Sequence, residues 1–190
     1  MTDSSTNIAI IEQVQCWLER LVIGEGLCPF AREPFDAGRI RFVISRAEDE
    51  ESLLTDVLQE LMYLRQTPWQ EAETSLLILP QMLADFYDYN DFLDLLDALL
   101  EQEQMEGEFQ IATMHPNYQF ADTDYSDAQN YTNRSPYPIL HLIREESLTR
   151  ALAMFPHPER IPERNIQHME KLGVPALERL LLACMQPGEN

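Results

Sequence analysis

The alternation of apolar and polar positions predicts a chain of alternating helices and strands. Apolar residues recur at helical spacing over residues 6–22 and 50–64, and again behind Asn90, which we expect to cap a third helix. Beyond Ser147 the chain is predicted to form short helices broken at prolines and a glycine. Short apolar runs between the helices predict four strands, RIRFVIS (39–45), SLLILP (75–80), FQIATM (109–114) and ILHLIR (139–144).

The order of these elements predicts an α/β (or α+β) fold. Strands that alternate with helices favour parallel pairing through right-handed crossovers, so we expect the first three strands to run in one direction. The fourth strand follows a long connection and can run antiparallel. We predict one domain over residues 1–190, with a core over about residues 6–146 and a C-terminal helical extension over about 147–186. The core is expected to hold a small four-stranded mixed sheet with helices packed on it.

The segment between strands 3 and 4, HPNYQFADTDYSDAQNYTNRSPYP, has neither a helical period nor a strand alternation. Structureless segments of this length are uncommon in compact domains and are usually either functional or disordered. Its aromatic side chains argue against disorder, and its prolines lower the entropy cost of ordering the backbone. Because α/β sheets bind ligands outside the carboxyl ends of their strands, we expect the loop to be ordered over a pocket at that edge. The alternative is a lid that only covers the sheet edge.

Two side chains near the ends of this loop are candidates for chemistry. His115 ends the third strand and titrates near neutral pH, which suits acid–base catalysis; the alternative is a structural hydrogen bond within the loop. Arg134 offers a planar set of donors to an anion, whereas the alternative is an ion pair with a loop aspartate. Arg46, behind the first strand, is expected to help Arg134 hold an anionic group.

Other polar and aromatic residues are expected to shape the same pocket. Asn130 and Asn133 can orient a ligand, although asparagine also stabilises tight turns through its own backbone. Tyr118 and Tyr137 are expected to line the pocket. His141 lies within an apolar strand, where it is either a hydrogen-bonded core residue or a ligand-binding residue.

Cys28, in the connector GEGLCPF, is a candidate nucleophile. A catalytic thiol needs a depressed pKa, and Cys28 with His115 and an asparagine would form a Cys-His-Asn arrangement. The alternative is a buried cysteine that only packs. The chain has three cysteines without CxxC spacing, which predicts no disulfide framework.

A divalent metal site is a further hypothesis. Asp122 and Asp124 with His115 offer ligands for such an ion, but their spacing matches no established metal loop. The sequence also lacks the GxGxxG, P-loop, HExxH and GxSxG motifs. We therefore predict no resident cofactor and no metal.

The charge of the chain narrows the classes of partner. Its 33 acidic and 13 basic residues give a net charge of −20, which repels nucleic acids and anionic membranes. The sequence opens with no basic-then-apolar leader and contains no apolar run long enough to cross a bilayer, so we expect a cytoplasmic protein. A small anionic molecule is the expected partner, and the sequence leaves the oligomeric state open.

The chain contains four distinctive segments, GLCPFA, LPQMLADFYDYNDFLD, QIATMHPNYQFA and NYTNRSPYPILHLIRE. In these segments it resembles a bacterial family catalogued as domain of unknown function 1415, from about Trp17 to Gly173. The resemblance implies that CPF, HPNYQF and NRSPYP belong to one shared design. It implies no particular reaction.

Two hypotheses about function follow from the sequence. The first is an enzyme acting on a small anionic metabolite, with His115 as the acid or base and Arg134 as the anion clamp. The second is a non-catalytic module with an acidic surface that binds a metabolite or a protein. The sequence leaves open whether the chain is an enzyme and, if it is, which reaction it catalyses.

Overall fold

The computed structural model describes residues 2–186, with side chains from residue 5 onward. The helices are α1 (Thr2–Trp17), α2 (Arg32–Asp36), α3 (Glu50–Gln66), α4 (Phe86–Gln102), α5 (Glu145–Met154), α6 (Ile161–Leu172) and α7 (Val174–Met185). The strands are β1 (Ile40–Ile44), β2 (Thr74–Ile78), β3 (Phe109–Met114) and β4 (Ile139–Arg144). A π-helical turn occupies Leu18–Ile23, and short 3-10 helices occupy Ala128–Thr132 and Pro158–Arg160. Among these helices, none is both long and apolar enough to cross a membrane.

The four strands form one mixed sheet in the order β1-β2-β4-β3. β1 pairs with β2 in parallel, and β4 pairs antiparallel with both β2 and β3. β1, β2 and β3 therefore run in one direction, which confirms the predicted α/β arrangement. Ile78 lies opposite Ile44 and Ile139, and Ile139 lies opposite Met114. The carboxyl ends of three strands and the start of the fourth thus form one edge of the sheet.

Tertiary contacts divide the chain into two compact units. Residues 33–114 and 137–156 form one, which we call the sheet unit. The segments up to residue 32, from 115 to 136 and from 157 onward form the other, which we call the loop unit. The organisation of the chain as a single domain stays a prediction.

In the sheet unit, α3 and α4 cover one face of the sheet with apolar side chains. β2 is buried along its whole length, as its continuous apolar sequence indicates. Alternation places Leu77, Leu140 and Leu142 on the face that meets the helices. The helices contribute Leu53, Val57, Leu61 and Leu64 from α3, and Tyr89, Phe92, Leu96 and Leu100 from α4. Removal of this apolar surface from water is the main stabilising contribution to the unit.

The start of α4 differs from the prediction. The helix begins at Phe86, and the carboxylate of Asp85 caps it by accepting hydrogen bonds from two backbone N–H groups of the first turn. Asn90, the predicted cap, lies inside the helix and is exposed. The prediction was wrong because the side chains of Phe86 and Tyr89 extend the apolar stripe one turn further toward the N-terminus.

In the loop unit, α1, α6 and α7 pack together with the 3-10 helix of the long loop. α1 contacts α7, and α6 contacts both α7 and the 3-10 helix Ala128–Thr132. The predicted first helix continues beyond Trp17 as the π-helical turn. The buried apolar side chains of these helices include Ile10, Val14, Trp17, Leu18, Leu21, Ile23, Tyr131, Met169, Leu177 and Cys184.

Candidate functional site

Asn130 organises the first half of the long loop. Its side chain is fully buried, and its Oδ1 accepts hydrogen bonds from the N–H of Phe120 and the hydroxyl of Thr123, both at 3.0 Å. Its Nδ2 donates to the carbonyl of Asp124 at 2.8 Å. These contacts match the turn-stabilising alternative, and direct contact with a ligand stays a prediction.

Arg134 organises the second half of the loop. Its guanidinium lies between the rings of Tyr125 and Tyr131, at 4.4 and 4.5 Å from their centroids. Its Nη2 donates to the carbonyl of Tyr125 at 2.7 Å, and its Nε donates to the carbonyl of Tyr118 at 3.3 Å. The side chain is 4 % exposed, and its partners among the described residues are carbonyls and aromatic rings rather than loop aspartates. Among the described residues no ion pair joins Arg134 to a loop aspartate, which was the alternative reading of this side chain, and its role as an anion clamp stays a prediction.

The Arg134 cation also influences its neighbour Tyr131. Burial raises the pKa of the Tyr131 phenol, and the nearby guanidinium offsets part of that rise because it favours the phenolate. The carbonyl of Arg134 accepts a hydrogen bond from the indole N–H of Trp17 at 2.9 Å. Arg134 therefore fixes the loop through its charge, its stacking and its backbone.

His115 is fully buried at the beginning of the loop. Its backbone N–H donates to the carbonyl of Asn133 at 3.1 Å, which ties together the two ends of the loop. Its Nδ1 accepts a hydrogen bond from the N–H of Asn117 at 3.0 Å. Because Nδ1 accepts this bond it carries no proton, so the single ring proton lies on Nε2.

The loop unit brings several predicted residues together. His115 and Asn133 share a hydrogen bond, and the carbonyl of Tyr118 accepts one from Arg134. The Oδ1 of Asn133 accepts a further bond from the hydroxyl of Thr132 at 3.2 Å. The ring of Tyr118 contacts the ring of Phe120 edge to face, with the ring centroids 4.9 Å apart. The roles of these residues toward a substrate or ligand stay predictions.

Cys28 also belongs to the loop unit and is half-buried. Burial raises the pKa of its thiol, and hydrogen bonds from the N–H groups of Phe30 and Ala31 offset part of that rise. The thiol is therefore less ionised at neutral pH than an exposed cysteine, which opposes nucleophilic chemistry. Within residues 5–186, the groups that hydrogen-bond its sulfur are these backbone N–H groups and not an imidazole.

Three predicted residues, Arg46, Tyr137 and His141, belong to the sheet unit. Arg46 is exposed, and burial raises the pKa of the half-buried Tyr137. The Oγ1 of Thr74 lies 2.8 Å from the Nε2 of His141 and donates its proton to the carbonyl of Leu142 at 2.6 Å. The hydroxyl has one proton, so it must accept from His141. Burial lowers the pKa of His141 to about 4, and the ring is neutral at physiological pH.

A cleft of about 590 Å³ opens between the long loop and α6 in the loop unit, and we call it the loop–α6 cleft. Asn133 is the predicted site residue that lines it. Asp122, also in the lining, has a φ of 62°, a left-handed conformation that aspartate and asparagine tolerate better than most residues. The other lining residues are Phe120, Ala121, Thr123, Gln129, Thr132, Ile161, Pro162, Asn165 and Ile166.

The residues from α6 are absent from the sequence prediction of the site. Ile161, Asn165 and Ile166 lie more than 20 positions beyond the loop in sequence, on a helix assigned only to the C-terminal extension. The pairing of α6 with the loop is a long-range contact, for which the local pattern contains no signal. Within the loop itself, the density of amide and hydroxyl groups around Gln129 and Thr132 was a usable signal.

A partly buried ion pair in the sheet unit was also absent from the sequence prediction. Arg41 and Glu60 form a two-point contact, with Nε–Oε1 at 2.6 Å and Nη2–Oε2 at 3.2 Å. The hydroxyl of Ser75 donates to the same Oε1 at 2.5 Å. The carboxylate of Glu60 is thus satisfied from both β1 and β2, which indicates a structural role.

Within residues 5–186, no group of three or more His, Cys, Asp and Glu side chains is arranged to hold a metal ion. The proposed set of Asp122, Asp124 and His115 is not such a group. Asp122 and Asp124 are exposed, whereas His115 is buried with its Nδ1 occupied.

Comparison with known proteins identifies a family. The model of a family described as "Protein of unknown function (DUF1415)" matches residues 9–179, which is most of the chain. A search of the curated proteins and a search of the solved structures found no match.

Proposed function

We propose that this chain, which belongs to the DUF1415 family, binds a small molecule in the loop–α6 cleft. The observation that carries the proposal is the cleft itself. One wall comes from the long loop and the other from α6, and both walls contribute polar groups. Small-molecule sites are typically clefts of roughly 300–1,000 Å³, lined by apolar side chains and a few well-placed polar groups. The cleft, at about 590 Å³, lies within that range.

The walls of the cleft are held by their own hydrogen bonds. Asn130 holds Phe120 and Thr123, both of which line the cleft. On the other wall, the Nδ2 of Asn165 donates to the carbonyl of Leu27 at 2.7 Å. A preformed site binds more tightly than one that must be ordered, because less conformational entropy is lost on binding. This preorganisation supports binding by the cleft without a large rearrangement.

The lining chemistry favours an uncharged or cationic ligand with an apolar part. Among the lining residues, Asp122 carries a charge, and the others contribute amides, hydroxyls or apolar surface. Phe120, Ile161 and Ile166 offer apolar surface to the body of the ligand. This inference differs from the expected anionic ligand, because Arg134 is not part of the cleft and Asp122 is.

Binding in the cleft requires no catalytic group. His115, Arg134 and Cys28 do not line it, and the contacts of His115 and Arg134 hold the loop. A non-catalytic binding module is thus the function that this geometry supports best. Catalysis by His115 stays a separate prediction.

The test is a binding experiment on the full chain with a defined panel of primary amines, amino acids, nucleosides, monosaccharides and dicarboxylic acids. Ligand-observed NMR would identify the panel members that bind. The variant Ile166→Trp places a large ring in the lining, and Ala183→Trp is its matched control at an exposed position of α7. We expect a bound compound to be lost from Ile166→Trp and retained by Ala183→Trp.

The charge preference is tested with Asp122→Asn, because asparagine also adopts the left-handed conformation found at this position. Amine binding should weaken by about three- to tenfold, since a partly exposed charge pair contributes roughly 1 kcal/mol. Equal binding by wild type and Ile166→Trp would contradict the proposal, as would the failure of every compound in the panel to bind.

A further inference from the structure

β3 is an edge strand of the sheet, next to β4 on one side only. The N–H of Glu145 donates to the carbonyl of Glu108, so the alternating antiparallel ladder pairs Gln110 with Ile143 and Ala112 with His141 through hydrogen bonds. Ile111 falls between these pairs. Its N–H and C=O therefore point away from β4, as does the carbonyl of Phe109.

A groove of about 750 Å³ runs along this edge between β3 and α4. Its apolar floor includes Phe109 and Ile111, whose side chains lie on the sheet face that α4 covers. Its acidic rim is formed by Asp94, Asp97 and Glu101 of α4, and by Glu106 of the following turn. All four acidic residues of the rim are exposed, and no basic residue lines the groove within the described chain.

β3 lacks the features that usually protect an edge strand from pairing. Its sequence, FQIATM, contains no lysine, proline or glycine. A second copy of the chain is a poor partner, because two copies paired through β3 would bring their acidic rims together. With a net charge of −20, copies of the chain also repel one another at longer range. Pairing of two copies of the chain through the edge of β3 is therefore disfavoured, whereas pairing with a positively charged partner is favoured.

We infer that the edge of β3 binds an extended, basic segment of a partner protein as an added strand. The outward N–H and C=O of Ile111 supply backbone hydrogen bonds to the segment. Side chains of an added strand alternate between the faces of the sheet, so every second residue of the segment lies beside the acidic rim. Lysine or arginine at those alternate positions complements Asp94, Asp97 and Glu101.

The inference is tested with a fluorescein-labelled peptide, TKVKVKT, and fluorescence anisotropy on the full chain. The first control peptide is TKVKVKT with a methyl group on the backbone nitrogen of each lysine. It keeps the charge, but the lysines, which share the face of Ile111 and whose N–H groups would point toward β3, can no longer donate to it. The second, TEVEVET, keeps the strand pattern and reverses the charge. We expect TKVKVKT to bind at least tenfold more tightly than either control peptide.

Two protein variants distinguish peptide binding at the groove from general attraction to the negative charge of the chain. The groove variant combines Asp94→Asn, Asp97→Asn and Glu101→Gln. The control variant combines Glu12→Gln, Glu163→Gln and Glu170→Gln, which are exposed positions of the loop unit and give the same change in net charge. We expect about tenfold weaker peptide binding to the groove variant, and binding within about twofold of wild type for the control variant.

Hydrogen exchange provides a residue-level readout of strand addition. The Ile111 amide should exchange more slowly when TKVKVKT is bound, because an added strand uses that N–H. The inference is overturned if the N-methylated peptide binds as well as TKVKVKT, if both protein variants lose affinity equally, or if TKVKVKT does not bind. The groove belongs to the sheet unit, so these outcomes are independent of the cleft in the loop unit.

Discussion

The indole N–H of Trp17 donates a hydrogen bond to the backbone carbonyl of Arg134, 2.9 Å away. Trp17 ends α1, and Arg134 lies near the end of the long loop, so the bond joins segments far apart in sequence. Both residues are almost fully buried. The loop is therefore anchored to a helix as well as stabilised by its own contacts.

We predict that Trp17→Phe destabilises the protein by about 1–3 kcal/mol, because it keeps most of the apolar surface but leaves a buried carbonyl without its donor. Urea unfolding followed by circular dichroism measures the change. Leu182→Ala, at an exposed position of α7, serves as a control and should change the free energy of unfolding by less than about 0.5 kcal/mol. A wild-type stability for Trp17→Phe would show that the bond contributes little.

Asn130→Asp should weaken the order of the loop. The substitution preserves shape but replaces the Nδ2 donor with a carboxylate oxygen facing the carbonyl of Asp124. We expect a loss of about 2–4 kcal/mol at neutral pH, since a buried charge then faces an acceptor. Limited proteolysis should detect faster cleavage within the loop. Asn90→Asp, an exposed change of the same chemistry on α4, is the matched control and should leave the cleavage rate unchanged.

The thiol of Cys28 should react slowly with iodoacetamide at neutral pH. Burial raises its pKa, so the reactive thiolate is scarcer than in an exposed cysteine, and the labelling rate should rise with pH into the alkaline range. Peptide mapping by mass spectrometry distinguishes it from Cys184, whose pKa burial and the neighbouring Cys16 raise to about 12. The same chain unfolded in urea gives the reference rate. Rapid labelling of folded Cys28 would instead support the nucleophile hypothesis.

His141 should make stability depend on pH between about 6.5 and 4. Burial lowers its pKa to about 4, so below pH 6.5 the unfolded chain binds a proton that the folded chain does not. The contribution of the neutral His141 to the free energy of unfolding is fully present above pH 6.5. It is lost as the pH falls toward 4, by up to about 3 kcal/mol.

His141→Gln should flatten the stability curve between pH 6.5 and 5, where carboxylates contribute less to the titration. Gln81→Ala, which changes an exposed side chain that does not titrate, should leave the slope unchanged. Chemical denaturation at several pH values measures these slopes. An NMR titration that gave His141 an ordinary pKa would contradict the prediction directly.

The pair of Arg41 and Glu60 should show coupling in a double-mutant cycle. Glu60 is largely buried, whereas Arg41 is partly exposed and lies 3.7 Å from the ring centre of Tyr63. Glu60→Gln and Arg41→Met should each destabilise the sheet unit, and we expect a coupling energy of about 1–2 kcal/mol after allowance for solvent screening. Additive effects of the two substitutions would show that the pair contributes no net coupling.

Local patterns predicted the elements that depend on near neighbours. β3 and β4 have the predicted bounds because an apolar run between turn residues is itself the signal for a strand. The common direction of β1, β2 and β3 followed from the helices between them. The start of α4 was misplaced because Asp85 and Asn90 are both acceptable caps, and burial of Phe86 and Tyr89 decides between them.

The candidate site was predicted less completely. The sequence identified the long loop, its aromatic content and the residues His115, Asn130, Asn133 and Arg134 within it. It did not show that Arg134 would lie between two tyrosine rings, or that α6 would form the second wall of a cleft. Each of these depends on which distant segment supplies a partner, and many segments of the chain contain suitable tyrosines, carbonyls and apolar faces.

The sequence by itself determined the strands, most of α1, α3 and α4, and the excess of negative charge, because the strands and helices depend on side chains close together along the chain and the charge depends on composition alone. Tertiary structure decided the insertion of β4 between β2 and β3, the edge position of β3, and the partners of His115 and Arg134. Hydrogen-bond donors and acceptors are present in every segment, so their pairing is selected by the long-range packing that brings particular backbones together.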